Sequence, residues 1–134
     1  MFASGRCLCG AVSFTVSAPP LRMAQCHCEQ CRRSTGTGHI MQAFFTLEDV
    51  TIDGEMSVYH SVADSGSQRR RWFCPACGAR LFSDNSRRPE LIAIAAGAFD
   101  NSDWFKPQAV VYTAQRPVWD VVDAAIPAFA GPQQ

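Results

Sequence analysis

The chain has 134 residues, 47% of them hydrophobic and 18% charged, and its 12 basic and 12 acidic side chains cancel to a formal charge of zero. That length makes one domain, residues 1–134, with a single core and no surplus, and the balanced charge argues against electrostatic capture of nucleic acid or an acidic membrane. Met1-Phe2-Ala3-Ser4-Gly5 has neither the charged start nor the apolar run of a secretory signal, and no stretch reaches the length of a membrane span. A cytoplasmic, reducing setting follows, where grouped cysteines bind metal more often than they form disulfides.

In chain order, 11–16 (Ala-Val-Ser-Phe-Thr-Val) alternates apolar and small polar residues and predicts a strand with one buried face. Ala18-Pro19-Pro20 ends it, and 21–28 reads as a second extended segment, with Cys26 and Cys28 on one face and His27 on the other. Residues 29–34 suit one helical turn that returns Cys31 over the same point, 35–38 a loop, and 39–45 a third strand. A turn region runs on to Asp53-Gly54, 57–62 alternates again, and Asp64-Ser65-Gly66-Ser67 is a loop or hairpin. Two extended arms, 69–73 and 79–83, flank Cys74-Pro75-Ala76-Cys77-Gly78 as a hairpin with a metal at its tip. Residues 91–96 predict a central strand covered on both faces, and Asn101-Ser102-Asp103 a helix start cut short by Pro107. Residues 109–112 predict a last strand. Arg116–Trp119 and Ile126–Phe129 predict a tail packed down by its aromatic residues, and Pro132-Gln133-Gln134 a frayed end. No 3.6-residue period is sustained, so the fold should be mostly β.

All seven cysteines fall into three groups: Cys7-x-Cys9-Gly10, Cys26-x-Cys28-x-x-Cys31 and Cys74-x-x-Cys77-Gly78. The odd total and the missing signal oppose a disulfide framework. The Cys74/Cys77 knuckle supplies two of the four ligands of a structural zinc, with Gly78 allowing the tight turn after it. Spacing alone does not say which group completes it. The simplest division leaves Cys7, Cys9, Cys74 and Cys77 as a closed site and lets Cys26, Cys28 and Cys31 hold a second zinc with one position open. His27, between two ligands, should face away. Three thiolates make an electron-rich zinc suited to an incoming thiolate, and Arg32 and Arg33 are candidates to hold the carboxylates of an anionic thiol substrate. The competing reading makes the triplet structural as well, closed by water or a distant side chain. His39 and His60 read as ordinary partly buried histidines, and Trp72, Trp104 and Trp119 as core or tail anchors.

The ordered set Gly5-x-Cys7-x-Cys9-Gly10-x-Val12, Cys26-His27-Cys28-x-x-Cys31-Arg32-Arg33-x-x-Gly36, Phe73-Cys74-x-x-Cys77-Gly78, Gly97-x-Phe99-Asp100 and Arg116-x-x-Trp119 resembles the glutathione-dependent formaldehyde-activating enzyme family, which includes centromere protein V. The resemblance implies a zinc-stabilised, mainly antiparallel β-tent and the same division of ligands. It further implies a carbon–sulfur lyase type of activity that joins glutathione and formaldehyde reversibly. The chain departs from the pattern after Pro107, where family members often carry histidine and Gln108-Ala109 stand here. A small thiol such as glutathione is the expected partner, with no nucleic acid and no membrane. A non-catalytic module that binds a protein partner is the alternative. Nothing in the sequence speaks to oligomeric state.

Overall fold

Period-two patterning builds most of this molecule. In the structure, a computed structural model that describes residues 1–133, β1 spans Ala3–Arg6 and β2 spans Ser13–Val16, where Phe14 and Val16 are buried and Thr15 is exposed. β3 (Arg22–Cys26) leads through His27 and Cys28 into α1 (Glu29–Thr35), followed by β4 (Ile40–Thr46) and β5 (Val50–Asp53). β6 (Ser57–Val62), β7 (Gln68–Phe73), β8 (Arg80–Asn85) and β9 (Leu91–Ala95) run as an antiparallel meander, and β10 (Ala109–Val111) comes last. A small sheet has the order β1-β2-β5, and a larger one the order β10-β3-β4-β9-β8-β7-β6. The mainly β, antiparallel fold expected from the sequence is what forms. One edge departs from it: β10 lies parallel to β3, with Val111 opposite Cys26.

The core lies between the two sheets. Phe14 of the small sheet meets Phe82 at 5.3 Å and Phe99 at 5.1 Å, and Phe99 meets Trp104 at 4.9 Å, all edge to face. Phe45, Leu81, Ile92 and Ile94 fill the rest, and the thiols of Cys7 and Cys74 belong to the same buried group. Each large apolar side chain removed from water contributes about 1.5–3 kcal/mol. A second, smaller cluster joins Cys26, Cys31, Ile40, Ala109 and Val111, with Tyr112 and Phe129 against it.

Four expectations need correction. β5 falls within the expected turn region before Gly54, and β1, whose residues 3–6 show no apolar alternation, falls where no element was expected. Both are recruited by pairing with β2. No helix starts at Asn101. Its side-chain oxygen accepts the Asp103 N–H at 2.9 Å in a turn, which Trp104 closes by donating to the Asn101 carbonyl at 2.8 Å. Trp119 is 68% exposed and anchors nothing, whereas Phe129 does pack down. His60 is exposed on β6 rather than partly buried. The expected fraying at Pro132-Gln133-Gln134 includes Gln134, which lies outside the described residues. Among the described residues no helix is long and apolar enough to cross a membrane.

Candidate functional site

Two turns bring four sulfurs together. After β7, Cys74 N–H donates to the Ala79 carbonyl and Gly78 N–H to the Cys74 carbonyl, with Gly78 at φ 77°, a left-handed turn that glycine alone adopts freely. At the N-terminal end, Cys7 N–H donates to the Val12 carbonyl and Gly10 N–H to the Cys7 carbonyl. The Cys7 and Cys9 sulfurs lie 3.6 Å apart, and those of Cys9 and Cys74 lie 3.8 Å apart. A tetrahedron with zinc–sulfur bonds of ~2.3 Å has edges of about 3.8 Å, so these donors suit that ion. All seven cysteines are free thiols. N–H groups also aim at sulfur: Val12 donates to the Cys7 sulfur at 3.3 Å, and the Ala79 N–H holds the Cys77 thiol below its usual range.

The second group is built by a strand end and a helix start. Cys26 closes β3, Cys28 caps α1 and Cys31 sits in its first turn, donating its N–H to the Cys28 sulfur at 3.3 Å. Their three sulfurs lie within 4.8 Å of one another and could hold a metal ion. Hydrogen bonds from Cys26 and then Cys31 push the Cys28 thiol down to about 2, and the same contact with Cys28 pushes Cys26 up. Cys28 is the least buried member of the trio.

Cys26 and Cys28 face a cavity of about 240 Å³ also walled by Arg69, Arg71, Tyr112 and Gln115. Arg69 and Arg71 stand two residues apart on β7, while Arg70 is paired with Asp84, its Nε 2.9 Å from Oδ1. Arg71 is 6% exposed and donates from Nη1 to Gln30 Oε1 at 2.9 Å and to Ser61 Oγ at 2.8 Å, both neutral acceptors. The buried Nε atoms of Arg69, Arg71 and Arg80 have no hydrogen-bond partner among the described residues. Burial pushes Arg80 down to about 10, with the nearby Cys31 opposing it. Tyr112 has a φ of 56°, rare for a residue with a side chain. Burial raises its phenol pKa, which keeps the hydroxyl protonated at neutral pH.

The structure thus brings the two predicted cysteine groups together as separate clusters. Arg33 is exposed and bonded through Nε to Glu29 at 2.9 Å. It lines a neighbouring cavity of about 530 Å³ with Arg71 and Arg80, and Arg32 lines neither cavity. His27 does turn away from the sulfurs, toward Gln25, Gly38 and Asp120. Sequence reasoning missed the walls of the cysteine cavity. Period-two alternation along 69–73 carried the signal, since it puts Arg69 and Arg71 on one face; Tyr112 and Gln115 had no comparable signal.

Known proteins agree with this architecture. The crystal structure of a Rhodobacter sphaeroides protein superposes with a TM-score of 0.59 at 24% identity, covering 73% of this chain and 88% of that one, a likeness in fold. A Halomonas elongata protein named "Putative glutathione-dependent formaldehyde-activating enzyme" is 30% identical over 131 residues, 92% of this chain and 83% of that protein. The family described as glutathione-dependent formaldehyde-activating enzyme matches residues 2–115, a span that takes in every cysteine. With that match and that relative, the chain belongs to the glutathione-dependent formaldehyde-activating enzyme family.

Proposed function

We propose that this chain is a zinc-dependent enzyme of carbon–sulfur lyase type that acts on the adduct of a glutathione-like thiol with a small aldehyde. Two zinc ions per chain are assigned, one closed by Cys7, Cys9, Cys74 and Cys77 and one at Cys26, Cys28 and Cys31. The observation that carries the proposal is the contrast in donor number between the clusters: four sulfurs complete a tetrahedron, while three leave one corner, and Cys26 and Cys28 of the three line a cavity with Arg69 and Arg71. Bound at the triplet, zinc would supply a soft Lewis-acidic position that favours sulfur as thiolate.

The chain's own groups have separable tasks. Arg71 and Arg69 line this cavity, and their guanidinium groups are the candidates to receive a substrate carboxylate. The anion-contact role read from sequence for Arg32 and Arg33 passes in this proposal to these two. In the synthetic direction the thiol S–H bond breaks, a carbon–sulfur bond forms at the aldehyde carbon, and the carbonyl oxygen takes up a proton. Tyr112, a protonated phenol on the cavity wall, is the candidate to exchange that proton.

The test is glutathione-dependent formaldehyde consumption, measured against the uncatalysed reaction and against zinc-stripped protein. A rate no greater than the uncatalysed one removes the proposal. One observation favours a binding module instead: Val118, Trp119 and Val121 are 93%, 68% and 85% exposed along one stretch of tail. Catalysis that survives Trp119→Ser unchanged separates that surface from the reaction.

A further inference from the structure

Away from the sulfurs, the segment that bears them is gripped from behind. His27 lies between two of the cysteines and is fully buried. Its Nδ1 is 2.9 Å from the Gly38 carbonyl and 3.1 Å from Asp120 Oδ2, and its Nε2 is 3.1 Å from Gln25 Nε2. A carbonyl oxygen only accepts, so Nδ1 carries the ring proton, and Nε2 accepts from the Gln25 amide. The same carboxylate oxygen of Asp120 accepts from His39 Nδ1 at 2.7 Å. Gly38 leaves room for that carboxylate, for a Cβ there would collide with it.

Asp120 belongs to the C-terminal tail, beyond the part of the chain that the family matches. The tail is strapped to β10 further along, where Val110 N–H donates to the Pro127 carbonyl and Phe129 N–H to the Val110 carbonyl. Between these ties it touches the cysteine-bearing segment at two places. Gln115 Oε1 accepts the Glu29 N–H at 2.7 Å beside Cys28, and Asp120 reaches His27. Arg116 Nη1 donates to the Asp120 carbonyl at 2.6 Å, which holds the intervening turn closed.

We propose that Asp120 is a positioning residue for the second metal centre: through His27 it fixes the backbone that presents the Cys26 and Cys28 sulfurs, so that the tail sets how tightly the triplet keeps its ion. The three side chains could in principle take a metal themselves. The hydrogen on His27 Nδ1 goes to the Gly38 carbonyl, so Asp120 Oδ2, held by His39 Nδ1 and 3.1 Å from His27 Nδ1, backs the ring as a charged contact rather than as a metal ligand. The proposal needs zinc at the triplet but not the thiol–aldehyde reaction, so it rests on only that part of the functional reading.

The test follows zinc release from the zinc-loaded full-length chain to a chromogenic chelator, for wild type, Asp120→Ala, Asp120→Asn and the core truncation Ile94→Val. Wild type should release two zinc equivalents in separate phases. Asp120→Ala should speed the faster, triplet phase about tenfold, as loss of a partner behind a metal ligand typically does, and leave the slower one alone. Asp120→Asn keeps an acceptor oxygen and should restore the wild-type rate. His39→Leu, should Asp120→Ala fail to fold, should speed the same phase to a smaller extent. Equal acceleration of both phases, or the same change in Ile94→Val, overturns the proposal. So does a wild type with three equivalents that loses one in Asp120→Ala, since the cluster is then itself a metal site. A wild type with a single zinc overturns both this proposal and the catalytic one, whereas two zincs without catalysis overturn the catalytic one alone.

Discussion

Replacing Arg71 by methionine isolates the contribution of the buried guanidinium. Methionine fills much of the same apolar path, but the acceptors Gln30 Oε1 and Ser61 Oγ lose the donor now 2.9 and 2.8 Å away. Two weakened hydrogen bonds at a half-wet site cost about 2 kcal/mol, which for a domain of this size lowers Tm by roughly 5–10 °C. The effect on the reaction is separate. A guanidinium–carboxylate hydrogen bond contributes about 1.5–3 kcal/mol, so KM for an anionic thiol should rise roughly 10- to 150-fold. Little change is expected in kcat, because this contact is made equally in ground and transition states. The assay compares glutathione with 2-mercaptoethanol, a thiol without a carboxylate, at a temperature where the variant is fully folded. An equal rise in KM for both thiols refutes the assignment of Arg71 to the substrate anion and leaves it a structural residue.

Three further outcomes follow from the geometry. Cys31→Ser should lose one zinc while the chain stays folded, whereas Cys77→Ser should unfold it, because structural zinc contributes about 10–16 kcal/mol against a typical total of 5–15; metal analysis beside far-UV circular dichroism decides, and equal damage from both makes the triplet structural too. Tyr112→Phe should lower kcat by about 100-fold at unchanged zinc content if the phenol exchanges the substrate proton, and an unaltered kcat removes it from the chemistry. Phe99→Ala, which empties the junction between Phe14, Phe45 and Trp104, should cost about 3–5 kcal/mol in denaturant unfolding, and a cost under 1 kcal/mol contradicts the placement of the core.

What could be read in advance depended on how local the cause was. Cysteine pairs announce themselves because both ligands of a knuckle lie within a few residues, and β2 and β9 show because burial on one or both faces writes itself into the strand. β1 has no such pattern: Ala3-Ser4-Gly5-Arg6 becomes a strand only because β2 offers it a ladder, as Gly5 pairs with Phe14. The parallel pairing of β10 with β3 joins residues more than 80 positions apart, and no local signal encodes it. The cavity walls show an intermediate case. Arg69-Arg70-Arg71 reads as a charge run, yet strand alternation sorts it into two arginines at the cysteine cavity and one bound to Asp84 at the surface. Asp120 was invisible for the opposite reason, since its partners His27 and His39 lie 93 and 81 positions earlier and nothing around it marks a ligand or a cap.

Cys28 does two things with one sulfur, and they can be pulled apart. It is a candidate metal ligand, and it also accepts the Cys31 N–H at the start of α1, the place where serine ordinarily serves as a helix cap. A serine hydroxyl keeps the acceptor but is a poor zinc ligand beside thiolate; alanine removes both. Cys28→Ser and Cys28→Ala should therefore lose the triplet zinc alike and keep the other. With one zinc retained, the serine variant should be the more stable by about 1 kcal/mol, or roughly 5 °C in Tm. If the two variants melt together, the sulfur contributes no cap and the short helix is held by packing of Cys31 alone. If the serine variant keeps two zinc ions, the ion is not held by these three thiols, and the open corner on which the proposed chemistry depends does not exist.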